Sequence, residues 1–398
     1  MIAEIVFWVL LIILFYTFLG YALILSIVLK IRNLFFGKRN LKTDPLYEPD
    51  VCLFVTAFNE KDFVAQKVEN SFSLDYPKEK IQYLWITDGS DDGTPDLLKK
   101  YDSLEVHHLP ERRGKMHAMN RGVKFVKAPI IIFSDTNTIL GKQSIREIVA
   151  QFSNEKTGCV AGEKRIVEKD ADAAAGAGEG LYWKYESWIK KMDAELNTAV
   201  GAVGELFAVR TGLFEDVEPD TLLDDFMISL RIAKKGFRIA YTPNAYAEET
   251  ASLNVKEELK RKIRIAAGGI QTVFRLKELL NPFRYPLLAW QYFSHKVLRW
   301  TLAPVSLFLV LPVNIFIVWQ QNCWTGFQFY TVALYLQLLF YLMAALGWYV
   351  ENRKLRFKIL FVPYYFLFIN YTSLHGIFRY FKGNQTVAWE KSKRAAQS

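Results

Sequence analysis

Residues Ile130–Thr138 read IIIFSDTNT. Ile130, Ile131, Ile132 and Phe133 form a short continuous apolar run, the pattern of a strand covered on both faces. Ser134, Asp135, Thr136, Asn137 and Thr138 then place hard oxygen atoms where that strand stops. Open α/β sheets bind ligands just beyond the carboxyl ends of their strands. A carboxylate and an amide oxygen at such a point can hold a divalent cation such as Mg2+, and through it a phosphate. Taken alone, the stretch reads first as a helix-capping turn, because Asp, Asn, Ser and Thr are the usual helix-start residues. The rest of the chain has to decide between the two.

Working outward, strands and helices alternate. The pattern predicts strands over Val51–Phe58, Ile81–Thr87, Leu104–His108 and Ile130–Ser134. It predicts helices over Glu60–Phe72, Pro95–Tyr101 and Lys115–Val126. That alternation implies an α/β fold with a parallel sheet and right-handed crossovers. No Gly-x-Gly-x-x-Gly follows the first strand, which disfavours a dinucleotide-binding dehydrogenase. Downstream, Ala171–Gly178 (ADAAAGAG) reads as a flexible loop. An aromatic helix, Leu181–Met192, follows with Tyr182, Trp183, Tyr185, Glu186 and Trp188; it suits a membrane-packed or channel-lining face, or ordinary core packing. Asp224–Lys235 is an amphipathic helix opening on Asp224 and Asp225, as a helix N-terminus favours. Gly236 ends it and Phe237–Tyr241 returns as a strand. Lys256–Leu280 is a basic amphipathic stretch carrying Lys260, Arg261, Lys262, Arg264, Arg275 and Lys277.

The 398 residues are 51% hydrophobic and 15% aromatic, with 30 Phe and 20 Tyr, a composition that points to a membrane. The net charge of +9 suits an anionic membrane face or a polyanionic ligand. Without zinc-finger spacing, nucleic acid is disfavoured. Cys52, Cys159 and Cys323 are widely spaced and odd in number, which fits a reducing cytosolic region. Ile5–Leu29 is apolar and uncharged, long enough to cross a hydrocarbon core of about 30 Å, and lacks the basic start and cleavage site of a signal peptide. Lys30, Arg32, Lys38, Arg39 and Lys42 behind it put the following domain in the cytosol. Beyond Pro282, Tyr285–Trp300 mixes aromatics with His295, Lys296 and Arg299 and reads as interfacial. Leu302–Trp319 and Phe327–Val350 read as a hairpin that leaves the cytosol and returns to Arg353, Lys354, Arg356 and Lys358. Ile359–Phe378 holds Pro363, Asn370 and His375 and precedes a tail with Lys382, Lys391, Lys393 and Arg394. It is re-entrant or interfacial if the tail is cytosolic, and otherwise it crosses. The expected organisation is therefore a transmembrane helix (1–30), a basic linker (31–49), an α/β domain with its basic helix (50–281), interfacial and transmembrane helices (282–381) and a basic cytosolic tail (382–398), the whole in the plasma (inner) membrane.

Several strand ends carry chemistry. The first strand ends VTAFNE (Val55–Glu60) and the second TDGSDDGT (Thr87–Thr94), which puts Asp88 where a carboxylate meets a base or a ribose hydroxyl. Arg112-Arg113-Gly114-Lys115 opens a helix containing Asn120, and a Lys at a helix start is a natural diphosphate site. With Asp135-Thr136-Asn137, these positions are what a nucleotide-diphosphate substrate requires. The ordered set VTAFNE, TDGSDDGT, RRGKMHAMNRG, FSDTNT, GAVGELFAVR and LLDDF resembles the family 2 glycosyltransferases of the GT-A fold. The resemblance runs from about Val51 to Gln271 and is strongest to the membrane-embedded branch of poly-N-acetylglucosamine, hyaluronan and cellulose synthases.

The resemblance implies a role for each matched residue. Glu60 and Asp88 would bind the uracil and ribose side of a UDP-sugar, and Lys115 would sit near the diphosphate. Asp135 and Asn137 match the Asp-x-Asp metal motif for Mg2+ or Mn2+, with Asn in place of the second Asp. Gly201–Arg210 matches the acceptor-side loop and strand. Asp224-Asp225 matches the acidic catalytic pair, Asp225 being the general base of an inverting displacement. Arg264 is kept from the Gln-x-x-Arg-Trp motif of processive members, while Arg261 and Ile265 replace its Gln and Trp. Trp389 resembles a tail Trp of many relatives. The expected enzyme transfers a sugar from UDP to a saccharide or lipid-linked acceptor at the membrane, in cell-surface polysaccharide synthesis. Three or four crossings make only a small conduit, which leaves open whether they form a channel and makes a partner subunit for export a further possible partner. The alternatives are a single-addition transferase acting on a polyprenyl-phosphate or glycolipid, and a non-catalytic membrane assembly partner.

Overall fold

The computed structural model describes residues 1–37, 43–167, 173–250, 255–352 and 358–383. Lys38, Arg39, Lys42, Ala171, Asp172, Arg353, Lys354, Arg356, Trp389, Lys391, Lys393 and Arg394 lie outside the described residues.

Strands β1 (Val51–Ala57), β2 (Ile81–Asp88), β3 (Glu105–Leu109), β4 (Ile130–Asp135), β5 (Ile139–Leu140), β6 (Thr157–Val167), β7 (Leu206–Arg210) and β8 (Arg238–Thr250) form one sheet in the order β3-β2-β1-β4-β7-β6-β8-β5. The pairs β1–β2, β1–β4, β2–β3 and β6–β8 are parallel, and β4–β7, β6–β7 and β5–β8 are antiparallel. The expected parallel half is present. The other half is mixed, and β6 is a strand whose small and charged residues (TGCVAGEKRIV) hide it from pattern reading.

The apolar run that decides the fold is buried throughout. Successive residues of a strand face opposite sides of the sheet. Ile131 and Phe133 accordingly join Cys52, Phe54 and Phe207 in one core, whereas Ile130 and Ile132 join Val51, Leu53 and Val55 in the other. Each such side chain contributes roughly 1.5–3 kcal/mol by leaving water, which fixes the register that brings the strand ends together.

Helices α3 (Lys61–Ser73), α4 (Thr94–Leu98), α5 (Lys115–Val123), α6 (Ser144–Gln151), α7 (Ala173–Leu196), α8 (Asp224–Lys234) and α9 (Val255–Arg275) complete the central domain. The stretch expected to be a loop, Ala171–Gly178, is helical from Ala173 onward. Alanine is the strongest helix former, and the four from Ala173 to Ala177 outweigh the glycine cost of about 1 kcal/mol per residue.

At the N-terminus, α1 (Ile2–Phe15) and α2 (Tyr21–Phe36) run on through a π-helical turn at Tyr16–Gly20 as one apolar segment, Ile2–Phe36. At 1.5 Å per residue the segment is roughly 50 Å long, more than the bilayer core needs. Its second half uses the excess to dock: Tyr21, Ala22, Leu25 and Leu29 pack against Ile189, Met192 and Leu196 of α7. Toward the C-terminus, α10 (Pro286–Tyr292), a π turn at Phe293–Val297 and α11 (Leu298–Trp300) lead into α12 (Leu302–Gln320), α13 (Phe329–Asn352) and α14 (Lys358–Phe381). Among the described residues three helices are long and apolar enough to span a membrane: Ile2–Phe36, Leu302–Gln320 and Phe329–Glu351. Helix α14 is not one of them; it packs along α9 and α13. Much of Tyr285–Trp300 is buried, with Leu288, Tyr292 and Val297 in the core of the α/β domain, so this stretch wedges between that domain and the apolar helices.

Candidate active site

The carboxyl ends of β1, β2 and β4 and the N-termini of α5 and α8 converge. Asp88, the last residue of β2, is buried. Its Oδ2 accepts hydrogen bonds from the backbone N–H groups of Arg113 (2.9 Å) and Gly114 (2.6 Å). Gly89 makes this approach feasible. It sits at φ +69°, and a Cβ there would lie 2.7 Å from Arg112 Cα. Asp88 therefore holds the basic loop in place, and its Oδ1 is left buried without a hydrogen bond. Glu60 is buried just before α3, where its backbone N–H donates to Thr94 Oγ1 at 3.0 Å.

The basic loop delivers Lys115 to the start of α5, where its Nζ stands 3.0 Å from Asp135 Oδ1 and 3.0 Å from Asp224 Oδ2. Burial opposes the ammonium charge, but the two carboxylates hold Lys115 above the ordinary lysine range. Asp135 is pushed up by burial, against the pull of Lys115, with Glu205 and Asp224 adding to the rise. Asp225, beside it at the first turn of α8, is pushed up to about 7 by burial, with Asp224 and Glu205 adding like-charge repulsion. A carboxylate of this kind takes up and gives up a proton near neutrality, as a general base must.

Asn137 donates from Nδ2 to Glu249 Oε1 at 3.3 Å. Glu249 in turn shares the buried Lys164 ammonium with Glu205, each at 2.5 Å. Burial alone would raise the Glu205 carboxyl, yet Lys164 holds it well below the usual range. An Asp at 137 would meet Glu249 as a like charge, so the amide at this position follows from its neighbour.

Asp135 and Asn137 line the same cavity. Among the described residues no group of three or more His, Cys, Asp or Glu is arranged to enclose a metal ion. Mg2+ and Mn2+ do not need such a cage beside a phosphate. They commonly take one or two protein oxygens and complete their shell with phosphate oxygens and water. Asp135 spends one carboxylate oxygen on Lys115 and Asn137 spends its NH2 on Glu249, so a carboxylate oxygen and an amide oxygen remain as hard ligands. The residues fit a diphosphate-bound divalent cation.

The cavity has a volume of about 890 Å3 and brings together Glu60, Lys115, Asp135, Asn137, Asp224, Asp225 and Arg264. Asp88 is not in its wall. Arg264 enters from α9, half-buried; burial and the neighbouring Arg261 pull its pKa below the ordinary arginine range, against the attraction of Asp224 and Asp135. Ile265 follows it, and the aromatic face in this region comes from elsewhere. Trp300 lies against Gly269, where a Cβ would stand 2.5 Å from its indole ring, and packs edge-on to Phe226.

Sequence reasoning missed Lys67, Lys164, Glu205, Glu249 and Trp300. Lys67 left a readable signal, because it falls in the apolar stripe Val64, Lys67, Val68, Ser71 of α3. It is wholly buried and donates to Ser134 Oγ (2.7 Å) and Thr138 O (2.8 Å), bracing the Asp135–Asn137 turn from behind. Lys164, Glu205 and Glu249 become neighbours only through the pairing of β6, β7 and β8, and Trp300 enters by packing on Gly269 of α9.

The model of the Glycosyltransferase like family 2 matches residues 49–268, more than half of the chain. The poly-beta-1,6-N-acetyl-D-glucosamine synthase of Staphylococcus aureus (strain MSSA476) is 26% identical over 248 residues, which are 60% of this chain and 59% of that protein. The synthase of the same name from Staphylococcus epidermidis is 25% identical over 235 residues, 56% of each. The match thus spans less than two thirds of these relatives' length. Among solved structures, the mannosyltransferase PcManGT from Pyrobaculum calidifontis, in complex with GDP-Man and Mn2+, aligns with a TM-score of 0.72 at 19% identity, over 96% of this chain and 99% of that one. That likeness shows the fold, the GT-A arrangement expected from the sequence.

Proposed function

This chain belongs to the Glycosyltransferase like family 2, and on that premise we propose that it is a membrane-bound inverting glycosyltransferase using a UDP-sugar. The observation that carries the reading is one cavity holding a lysine bridged between Asp135 and Asp224, with Asp225, poised near neutrality, beside them. The Lys115 ammonium attracts the donor's diphosphate. Asp225 takes the proton from an acceptor hydroxyl as that oxygen bonds to the anomeric carbon, and the bond from that carbon to the diphosphate breaks to release UDP. A divalent cation bound by Asp135 and Asn137 would offset the charge on the departing diphosphate. Arg264, drawn toward the same acids, supplies a second cation beside the leaving group. Glu60 and Asp88 serve the nucleoside side, Asp88 by setting the basic loop.

The apolar helices and the synthase names of the relatives support a membrane setting in polysaccharide synthesis, with the α/β domain in the cytosol. The test is UDP or GDP release by the purified chain with Mn2+ or Mg2+ across a panel of UDP-sugars, with GDP-mannose included. Release from one UDP-sugar supports the proposal. Release from GDP-mannose alone, or from none of the panel, contradicts it.

A further inference from the structure

The cavity continues past the catalytic acids, and its wall changes character. On one side it is apolar, formed by Phe18 and Leu19 of the N-terminal segment and Val362, Phe366 and Ile369 of α14. Leu19 is 56% exposed and Val362 48%, so this end opens on the outer surface of the apolar helices. The wall also carries Lys190, Lys296 and Arg299. Arg299 spends Nη1 on Glu186 Oε2 at 2.8 Å. Its side chain is 9% exposed, and its Nε and Nη2 are buried without a hydrogen-bond partner. Two buried guanidinium donors without acceptors are costly unless a ligand supplies oxygens, and a phosphate matches that fork. Lys296 is paired to the same Glu186, so one carboxylate faces two cations and the group keeps a positive excess. Trp300 follows Arg299 directly and lines the same cavity, an aromatic residue of the kind on which sugars stack.

We infer that the acceptor is a lipid-linked phosphosaccharide, its sugar hydroxyl at Asp225, its phosphate at Arg299 and Lys296, and its hydrocarbon tail leaving between Leu19 and Val362. This rests on the transferase reading above and adds the class of acceptor. The transfer balances without touching the lipid linkage. The hydroxyl proton goes to Asp225, its oxygen bonds to the donor's anomeric carbon, UDP departs, and the phosphate ester to the lipid stays intact. A neutral free saccharide would use neither the buried arginine donors nor the apolar exit.

The test uses the full chain in lipid nanodiscs with UDP and Mn2+. Three probes are titrated: polyprenyl-phosphate N-acetylglucosamine, water-soluble N-acetylglucosamine 1-phosphate, and the uncharged octyl N-acetylglucosaminide. The lipid phosphosugar is expected to half-saturate at a concentration at least tenfold lower than either of the others. Arg299→Gln should remove most of that advantage. Because Arg299 also pairs with Glu186, Lys296→Gln serves as a second variant with the same expected direction. Equal binding of the uncharged glycoside overturns the phosphate assignment, and equal binding of the soluble phosphosugar overturns the lipid one. UDP affinity, measured on the same wild-type samples, separates the two levels. UDP binding without any probe preference sinks this inference alone, whereas no UDP binding sinks the transferase reading with it.

Discussion

Lys115 Nζ and Asp135 Oδ1 meet at 3.0 Å, joining the first residue of α5 to the last residue of β4. The same ammonium reaches Asp224 at the start of α8. One cation thus sets the spacing between the carboxylate at the end of β4 and the one at the start of α8. Lys115→Met would leave two half-buried carboxylates facing each other. Breaking a fully buried ion pair from one side costs about 3–5 kcal/mol, and this half-buried one costs less, so the variant should unfold at lower denaturant and bind UDP at least tenfold more weakly by calorimetry. Unchanged UDP affinity would remove Lys115 from the diphosphate site.

Asn137→Asp restores the more common acidic residue but sets it against Glu249, which now receives the Asn137 amide. The variant should lose stability in metal-free buffer and recover it as Mn2+ is added. An unfolding midpoint measured with and without Mn2+ checks this; a midpoint equal to wild type without metal would show that Glu249 does not select the amide.

Gly269 leaves room for the Trp300 ring, with a Cβ position 2.5 Å from the indole. Gly269→Ala should displace that ring or shift α9, at a cost of about 1–3 kcal/mol for overpacking. If Trp300 is an acceptor platform, the variant's KM for acceptor rises more than its KM for donor. Equal changes in both would reduce Trp300 to packing.

The pH dependence follows from Asp225. Its pKa is raised to about 7, chiefly by burial, and a base works only when deprotonated. The acidic limb of kcat/KM should therefore fall tenfold per pH unit below about 7 and level off above it. The stability effect has the opposite sign. The folded chain keeps the proton between the ordinary carboxylate range and about 7, so Asp225 lowers stability as pH rises through that window. A rate profile flat down to pH 5 would contradict the assignment.

The parallel half of the sheet, and the strand and helix ends that meet at the cavity, were legible because local signals agree there. Ile130–Phe133 is apolar without a break, and Asp135, Lys115 and Asp225 stand at element ends where ligands gather. Strand β6 was not legible, since Gly158, Ala161, Gly162 and Lys164 interrupt any alternation and its pairing with β7 and β8 is set by contacts distant in sequence. The helix from Ala173 was misread because the glycines in the stretch suggested a loop while helix propensity and the aromatic segment after it prevailed. Why Asn stands at 137 could not be seen before Glu249, 112 residues later, was placed beside it. The aromatic lining near Ile265 was legible in part: Tyr182 and Trp183 of the aromatic helix line the cavity, while Trp300 reaches it from another helix through contacts distant in sequence.

The account turns on Asp225 as the base that takes the acceptor proton. The most direct measurement compares Asp225→Asn with wild type for sugar transfer and for UDP affinity in the same preparation, using the donor found in the panel. Losing a positioned base typically removes about 10²–10⁴ of the rate. The expected result is a transfer rate at least a hundredfold lower, with the UDP dissociation constant within about threefold of wild type on the same premise. Full transfer activity in Asp225→Asn would contradict the mechanism.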